Sequence, residues 1–321
     1  MKSTSKLTDF YYKELYPSLS ELEKTRLHII SQLKGYAAMG AVVFVIVALW
    51  MGKNFGLLHP LMMGIVIGFI ALASLTYRLM IKGYAKDFKS KIITPLIGAI
   101  DSHLLYNPDF MISQHLFSRS SLFKHDIDRY SGNDYVKGSI DGVNLEFSDV
   151  HAQYQTKDSK GRTQWHTLFR GQFFVAEFNK HFKSRTVILP DLAEKTFGNL
   201  IGGWLQSKNR SRDDVIQLDD PEFEKKFVVY GNDPIEARYI LTHSMMKRIV
   251  QFQKKISYPL FISFIHNHIH IAIATKKDLF EPAILTSLLD YKQVMEYVNT
   301  LNNTIGLVEE LKLNEKLWSK E

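Results

Sequence analysis

Two uninterrupted apolar runs constrain this chain more than any other feature. Between Lys34 and Lys53 lie 18 residues without a charge, and between Lys53 and Arg78 lie 24 more. As helices these would extend about 27 and 36 Å, against about 30 Å for the hydrocarbon core of a bilayer. The pattern predicts a two-span transmembrane hairpin over 35–77. Its exposed turn is Gly52-Lys53-Asn54-Phe55-Gly56, and His59-Pro60 opens the second helix, because proline suits the first helical turn. The first run begins only after 34 mostly polar residues and lacks a small-residue cleavage site, which argues against a signal peptide.

The charge distribution adds an orientation. Residues 1–91 hold 12 Lys+Arg against 5 Asp+Glu, whereas the rest of the chain holds 28 of each, so the whole net charge of +7 belongs to the hairpin segment. Lys24, Arg26 and Lys34 precede the first span, Arg78, Lys82, Lys86, Lys89 and Lys91 follow the second, and the turn carries only Lys53. The positive-inside bias then places both termini in the cytoplasm. Neither span contains Asp, Glu, Lys or Arg, which argues against an ion pathway through the hairpin. Gly64-x-x-x-Gly68 lets helix backbones approach closely, either between the two spans, helped by Ala37, Gly40 and Ala41, or between two copies in a homodimer. The absence of cysteine removes disulfides, thiolate metal sites and Cys nucleophiles from consideration.

The remaining chain reads as follows. Residues 1–34 form cytosolic N-terminal helices interrupted at Pro17, with Ser20-Glu-Leu-Glu23 as a capping box for the helix that enters the membrane. Residues 78–125 form juxtamembrane helices, one kinked or restarted at Pro95 and one ending at Asn107-Pro108-Asp109. Residues 126–290 form a cytosolic α+β domain, and 291–321 a C-terminal helix with a break at Gly306. Within the α+β region a type I′ turn at Asp141-Gly142 joins strands 135–140 and 143–154. Strands at 164–178, with a possible bulge at Gly171, and at 185–189 complete a four-stranded meander. An amphipathic helix over 191–206 follows, then short strands, helices near 234–240 and 243–255, a second hairpin over 260–275, and a helix over 279–289. The fold class is a membrane α-helical hairpin plus a cytosolic α+β domain with an antiparallel sheet.

Four stretches carry a resemblance: Phe223 to Thr242, Tyr130 to Gly138, Phe169 to Phe174, and Ser263 to Ala274. Together with the hairpin they resemble an uncharacterised bacterial family of two-span membrane proteins, the domain of unknown function three-one-three-seven. The resemblance implies location in the bacterial inner (cytoplasmic) membrane. Its genes resemble neighbours of LemA-type helical membrane proteins, which implies such a partner. It implies no activity, no catalytic residues and no cofactor.

Candidate chemistry is sparse. Asp233 before Pro234, with Glu236 three positions on, reads as a helix cap with a capping box, and Asp219-Asp220 before Pro221 as a turn and cap. Arg238 and Tyr239 are left over as binding candidates, able to hold an anion or a partner carboxylate, or to pair with Glu222 or Glu224. His266, His268 and His270 would share a strand face at period two and suit a metal ion. The flanking strands instead place 266–268 in a turn, which splays the rings and leaves these three as weak metal candidates. Serine-hydrolase, zincin, P-loop and dinucleotide-binding motifs are all missing. Lys208, Arg210 and Arg212 read as a solvated loop, because the region beyond residue 91 is neutral, so no nucleic-acid partner is expected. The expected function is a membrane-anchored cytosolic scaffold, sensor or adaptor. An enzyme of unfamiliar type on a membrane-proximal or phosphorylated substrate is the rival reading, and a lipid-binding domain a third.

Overall fold

The computed structural model describes residues 11–54, 60–123, 125–177, 182–191, 214–276, 278, 280–311 and 313. The expected helix over 191–206, the loop at 208–212 and the chain end beyond 313 lie outside these residues. The chain divides into two compact units, Met1–Leu96 with Glu281–Glu296, and Ile97–Phe280 with Tyr297–Glu321.

The first unit is built on two long helices, α1 (Tyr16–Asn54) and α2 (Pro60–Phe88). Both are long and apolar enough to cross a membrane. Many apolar side chains of these helices face outward: Leu49 is 70% exposed and Met63 71%, an arrangement suited to an apolar surrounding. The helices meet at Gly40, where an added Cβ would stand 2.6 Å from the Phe69 ring, and Phe44 packs edge-on against the same ring. Gly64 and Gly68 have nothing within 4 Å of an added Cβ, so they do not make the contact between the two helices expected of them.

Proline is handled in the same way twice. A five-residue π turn, Tyr11–Leu15, runs into α1 with Pro17 at its second position, and another, Lys89–Ile93, runs into α3 (Thr94–Ile100) with Pro95 at its second position. The wider turn accommodates the pyrrolidine ring and the missing N–H, so Pro17 does not interrupt the helix as its chemistry suggested. Ser20 and Glu23 therefore lie inside α1 rather than at its cap. Glu23 instead forms a buried two-pronged pair with Arg26, at 2.8 and 2.9 Å. It also accepts from the Ser287 hydroxyl and the Leu288 N–H, while Arg26 donates to the Ile284 carbonyl. Lys89 pairs with Glu281 and Lys91 with Glu21. The segment around 284–288, expected to be helical, is irregular, and these contacts satisfy its backbone.

The second unit is a nine-stranded sheet in which every pairing is antiparallel, ordered β1-β2-β3-β4-β9-β8-β5-β7-β6. The strands are β1 (Leu105–Asn107), β2 (Arg129–Ile140), β3 (Val143–Lys157), β4 (Thr163–Glu177), β5 (Thr186–Pro190), β6 (Asp214–Ile216), β7 (Phe227–Gly231), β8 (Leu260–Ile265) and β9 (His268–Ile273). Residues 105–107 were expected at a helix end. They pair with β2 instead, and α3 stops at Ile100. The meander is thus β1 to β4, because β5 pairs with β7 and β8, not with β4. Positive φ at both Asp141 and Gly142 confirms the type I′ turn. The register shift in β4 falls opposite Ala152/Gln153, before Gly171. Gly171 has a different role: with φ of +151° its absent Cβ admits the Ile273 carbonyl, which would lie 2.1 Å away.

Phe173 to Ala176 are all buried, so the central strands are covered on both faces. On one face Ile112, Phe117 and Leu122 join Val150, Phe169, Phe173 and Ala272 in a core, with Phe117 4.8 Å from Phe173 and 5.3 Å from Phe123. Each such ring contributes about 2–3 kcal/mol by burial. The helix that brings them is α4 (Gln114–Arg119), capped by Ser113. On the other face α8 (Tyr291–Ile305) bonds to β4 through Thr304 and Gln172 at 2.6 Å. In chain order between α4 and α8 come α5 (Pro221–Glu224), α6 (Pro234–Ile240) and α7 (His243–Ile256). Gly306 separates α8 from α9 (Leu307–Glu310), as its sequence suggested.

Candidate functional site

The face that carries Phe117 and Phe173 turns polar toward the β2–β3 turn. Along β3 the alternate positions Tyr154, Ala152, Val150 and Ser148 continue as Glu146 and Asn144. Strand register then sets Lys137 opposite Glu146, Ser139 opposite Asn144, Glu146 opposite Val175, and Glu177 opposite His268. These residues, with His103 and the backbone of Gly138, Leu145 and Ala176, line a cleft of about 470 Å³. Gly138 lets the His103 carbonyl come within 2.3 Å of where a Cβ would stand, which seats the 103–104 segment against the cleft.

Each carboxylate is held by a neutral donor. The Tyr135 hydroxyl donates to Glu146 at 2.6 Å, and the Asn144 amide donates to Glu177 at 2.9 Å. Burial and the bond to Glu146 both push the Tyr135 hydroxyl up, so it remains a donor throughout the physiological range. Burial also lowers the His268 imidazole, against the pull of Glu177, and keeps it neutral as donor and acceptor at once. One pleat repeat inward stands His270, its ring 6.1 Å from that of His268. It is only 3% exposed, burial pushes it down to about 3, and its Nδ1 has no hydrogen-bond partner among the described residues. Lys137 stands exposed at the rim. The site therefore offers two oriented carboxylates, the neutral imidazole of His268, the imidazole of His103 and one ammonium.

The residues singled out from sequence fall elsewhere, apart from two of the histidines. Asp233 caps α6 by accepting from the N–H groups of Ile235 and Glu236 at 2.9 and 3.0 Å, and Asp220 caps α5 likewise. Glu236, expected to close a box, receives the N–H groups of Lys183 and Ser184 and the Ser184 hydroxyl. Arg238 donates to the Gln217 carbonyl at 3.3 Å, not to Glu222 or Glu224. Glu222 pairs with Lys254, and Glu224 accepts from the Leu218 N–H. Tyr239 is partly exposed on α6, outside the cleft. His266 lies in the β8–β9 turn at φ +56°, but His268 belongs to β9 and shares a face with His270, a correction to the three-residue turn. Among the described residues no three His, Asp or Glu side chains converge to hold a metal ion.

Glu146, Glu177, Lys137 and Asn144 were not found from sequence. For Glu146 and Asn144 the signal was there in β3: polar residues at the same alternation that buries Val150 and Ala152 further along. The stretches that carried the resemblance also acquire structural reasons. Tyr130 donates to the Ile112 carbonyl, Tyr106 to Asp134, and Gly138 and Gly171 admit close backbone approach.

No curated protein matches the chain. Among solved structures there is a similarity to the crystal structure of the mycobacterial trehalose monomycolate transport factor A, TtfA. It covers 62% of this chain and 86% of that one at 10% identity and a TM-score of 0.31. A likeness this slight has no bearing on fold or function. The family model described as Protein of unknown function (DUF3137) matches residues 167–313, which run from β4 to beyond α9. The resemblance read from the motifs is met over residues 167–313, where the chain is similar to that family; the Tyr130–Gly138 stretch and the two long helices lie outside the match.

Proposed function

We propose that the chain is a membrane-anchored binding module, a scaffold, sensor or adaptor whose sheet unit works in the cytosol. It would be held by α1 and α2 in the bacterial inner membrane with both termini inside. The observation that carries this reading is the polar cleft: carboxylates fixed by neutral donors and a neutral imidazole form a recognition surface on a chain whose two long helices expose apolar side chains. A partner such as a LemA-type helical membrane protein would present N–H-rich or cationic groups to Glu146 and Glu177.

The enzymatic rival assigned chemistry to Arg238 and Tyr239, which stand apart from the cleft. The lipid-binding rival calls for an apolar cavity, whereas this cleft is rimmed by charged and polar groups. The test is site-specific photocrosslinking from position 137 in native membranes. The binding-module reading expects a discrete crosslinked product that disappears when Glu146→Gln and Glu177→Gln are combined. A product unchanged by that pair, or none, contradicts it.

A further inference from the structure

The outer end of the β2–β3–β4 ribbon bears a second polar surface, on the opposite face of the sheet from the cleft. Register aligns Ser131, His151 and Arg170 across the three strands, and Arg129 and Thr167 flank Gln153 two residues further out. Directly opposite residues share a face, so these side chains stand together, with Trp165 beyond them.

The donors here outnumber the acceptors. The Arg129 guanidinium lies 4.1 Å over the Trp165 ring. Arg170 reaches Asp278 at 3.4 Å through one nitrogen, and its buried Nε has no hydrogen-bond partner among the described residues. Burial lowers the proton affinity of His151, and both guanidiniums add to the effect, with Asp278 opposing them. At the ribbon tip Lys157 and Lys160 are exposed, while Asp158 is occupied by Arg162 and by two backbone N–H groups, and Asp128 by the Gln155 N–H. Arg129, Lys157, Lys160, Arg162 and Arg170 thus stand against Asp128, Asp158 and Asp278, with Asp149 buried one pleat repeat inward of His151. This local cationic excess occurs in a region, 92–321, that is neutral overall.

We infer that this ribbon face docks on the headgroup phosphates of an anionic bilayer. The planar guanidinium of Arg129 and the terminal nitrogens of Arg170 suit phosphate oxygens, and the partly exposed Trp165 suits the headgroup depth. Basic side chains near an anionic surface each contribute about 1 kcal/mol, screened by salt. Tethering through the hairpin raises the local concentration, so a weak contact suffices. The inference rests on the reading that α1 and α2 span the bilayer.

The chain has no cysteine, so Gln155→Cys, directly opposite Trp165, accepts one environment-sensitive fluorophore. The full chain is reconstituted in nanodiscs of phosphatidylcholine alone or with phosphatidylglycerol. Failure to co-elute with either disc defeats the membrane reading itself, before the probe is read. The expected result is a blue-shifted emission, quenched by spin-labelled lipid, only in the anionic discs. It should be reversed by high salt and reduced at least tenfold by Arg129→Gln with Arg170→Gln. Lys157→Gln with Lys160→Gln should weaken it without touching the sheet face. A water-exposed probe in both discs overturns the inference, as does a response that survives both double variants. A response to inorganic phosphate in zwitterionic discs, with none to anionic lipid, assigns the face to a soluble phosphate and overturns the bilayer.

Discussion

Burying an imidazole whose Nδ1 lacks a partner has a thermodynamic consequence at His270. Its folded value of about 3 lies below the ordinary imidazole value of 6.5, so as pH falls the unfolded chain takes up a proton that the folded chain refuses. Stability from this residue is complete above pH 6.5 and is lost progressively toward pH 3. By pH 5 the loss is roughly 2 kcal/mol. His270→Met should remove this slope, so denaturant melts at pH 7 and pH 5 should differ less in the variant than in the parent. An equal slope in both would contradict the assignment. Glu23 is held down to about 2 by Arg26, so its own contribution is lost only below about 4.5, outside the comparison of pH 7 with pH 5. The caps at Asp220 and Asp233 were legible in the sequence because capping depends on adjacent residues alone. Glu146 and Glu177 were not, because only the pairing of β3 with β4 brings them together.

Among the elements, the helical hairpin gives the sharpest contrast. Gly40→Leu should cost about 1–3 kcal/mol in detergent unfolding, since the new side chain meets the Phe69 ring. Gly64→Leu and Gly68→Leu should be tolerated within a single chain, because both positions open onto free space. Equal losses at all three would refute this packing. The Glu23–Arg26 pair holds the segment around 284–288, and both residues are buried. Glu23→Ala leaves a buried guanidinium uncompensated and should destabilise by about 3–5 kcal/mol. The joint replacement Glu23→Met with Arg26→Met should do less harm, and limited proteolysis near residue 285 reports the release. Neither the pair nor the π turns before Pro17 and Pro95 could be read from local pattern. A Ser-x-x-Glu spacing looks the same at a cap and inside a helix, and only the contacts made by Glu23 distinguish them.

For the molecule as a whole, the long apolar runs and the alternation of β2, β3, β8 and β9 gave the class and most strands, because period and length are local properties. Strand order was not legible: the pairing of β4 with β9, about 95 residues apart in the chain, is decided by which faces bury together. That pairing is what sets His268 opposite Glu177, so the cleft depends on it. We propose that α1 and α2 span the inner membrane and keep the sheet unit in the cytosol. Paired reporter fusions test it most directly. A reporter that works only in the cytosol should be active at the C-terminus, and one that works only after export should be active when inserted in the turn between α1 and α2. Activity of the exported reporter at the C-terminus, or release of the chain from membranes by alkaline carbonate, would contradict it.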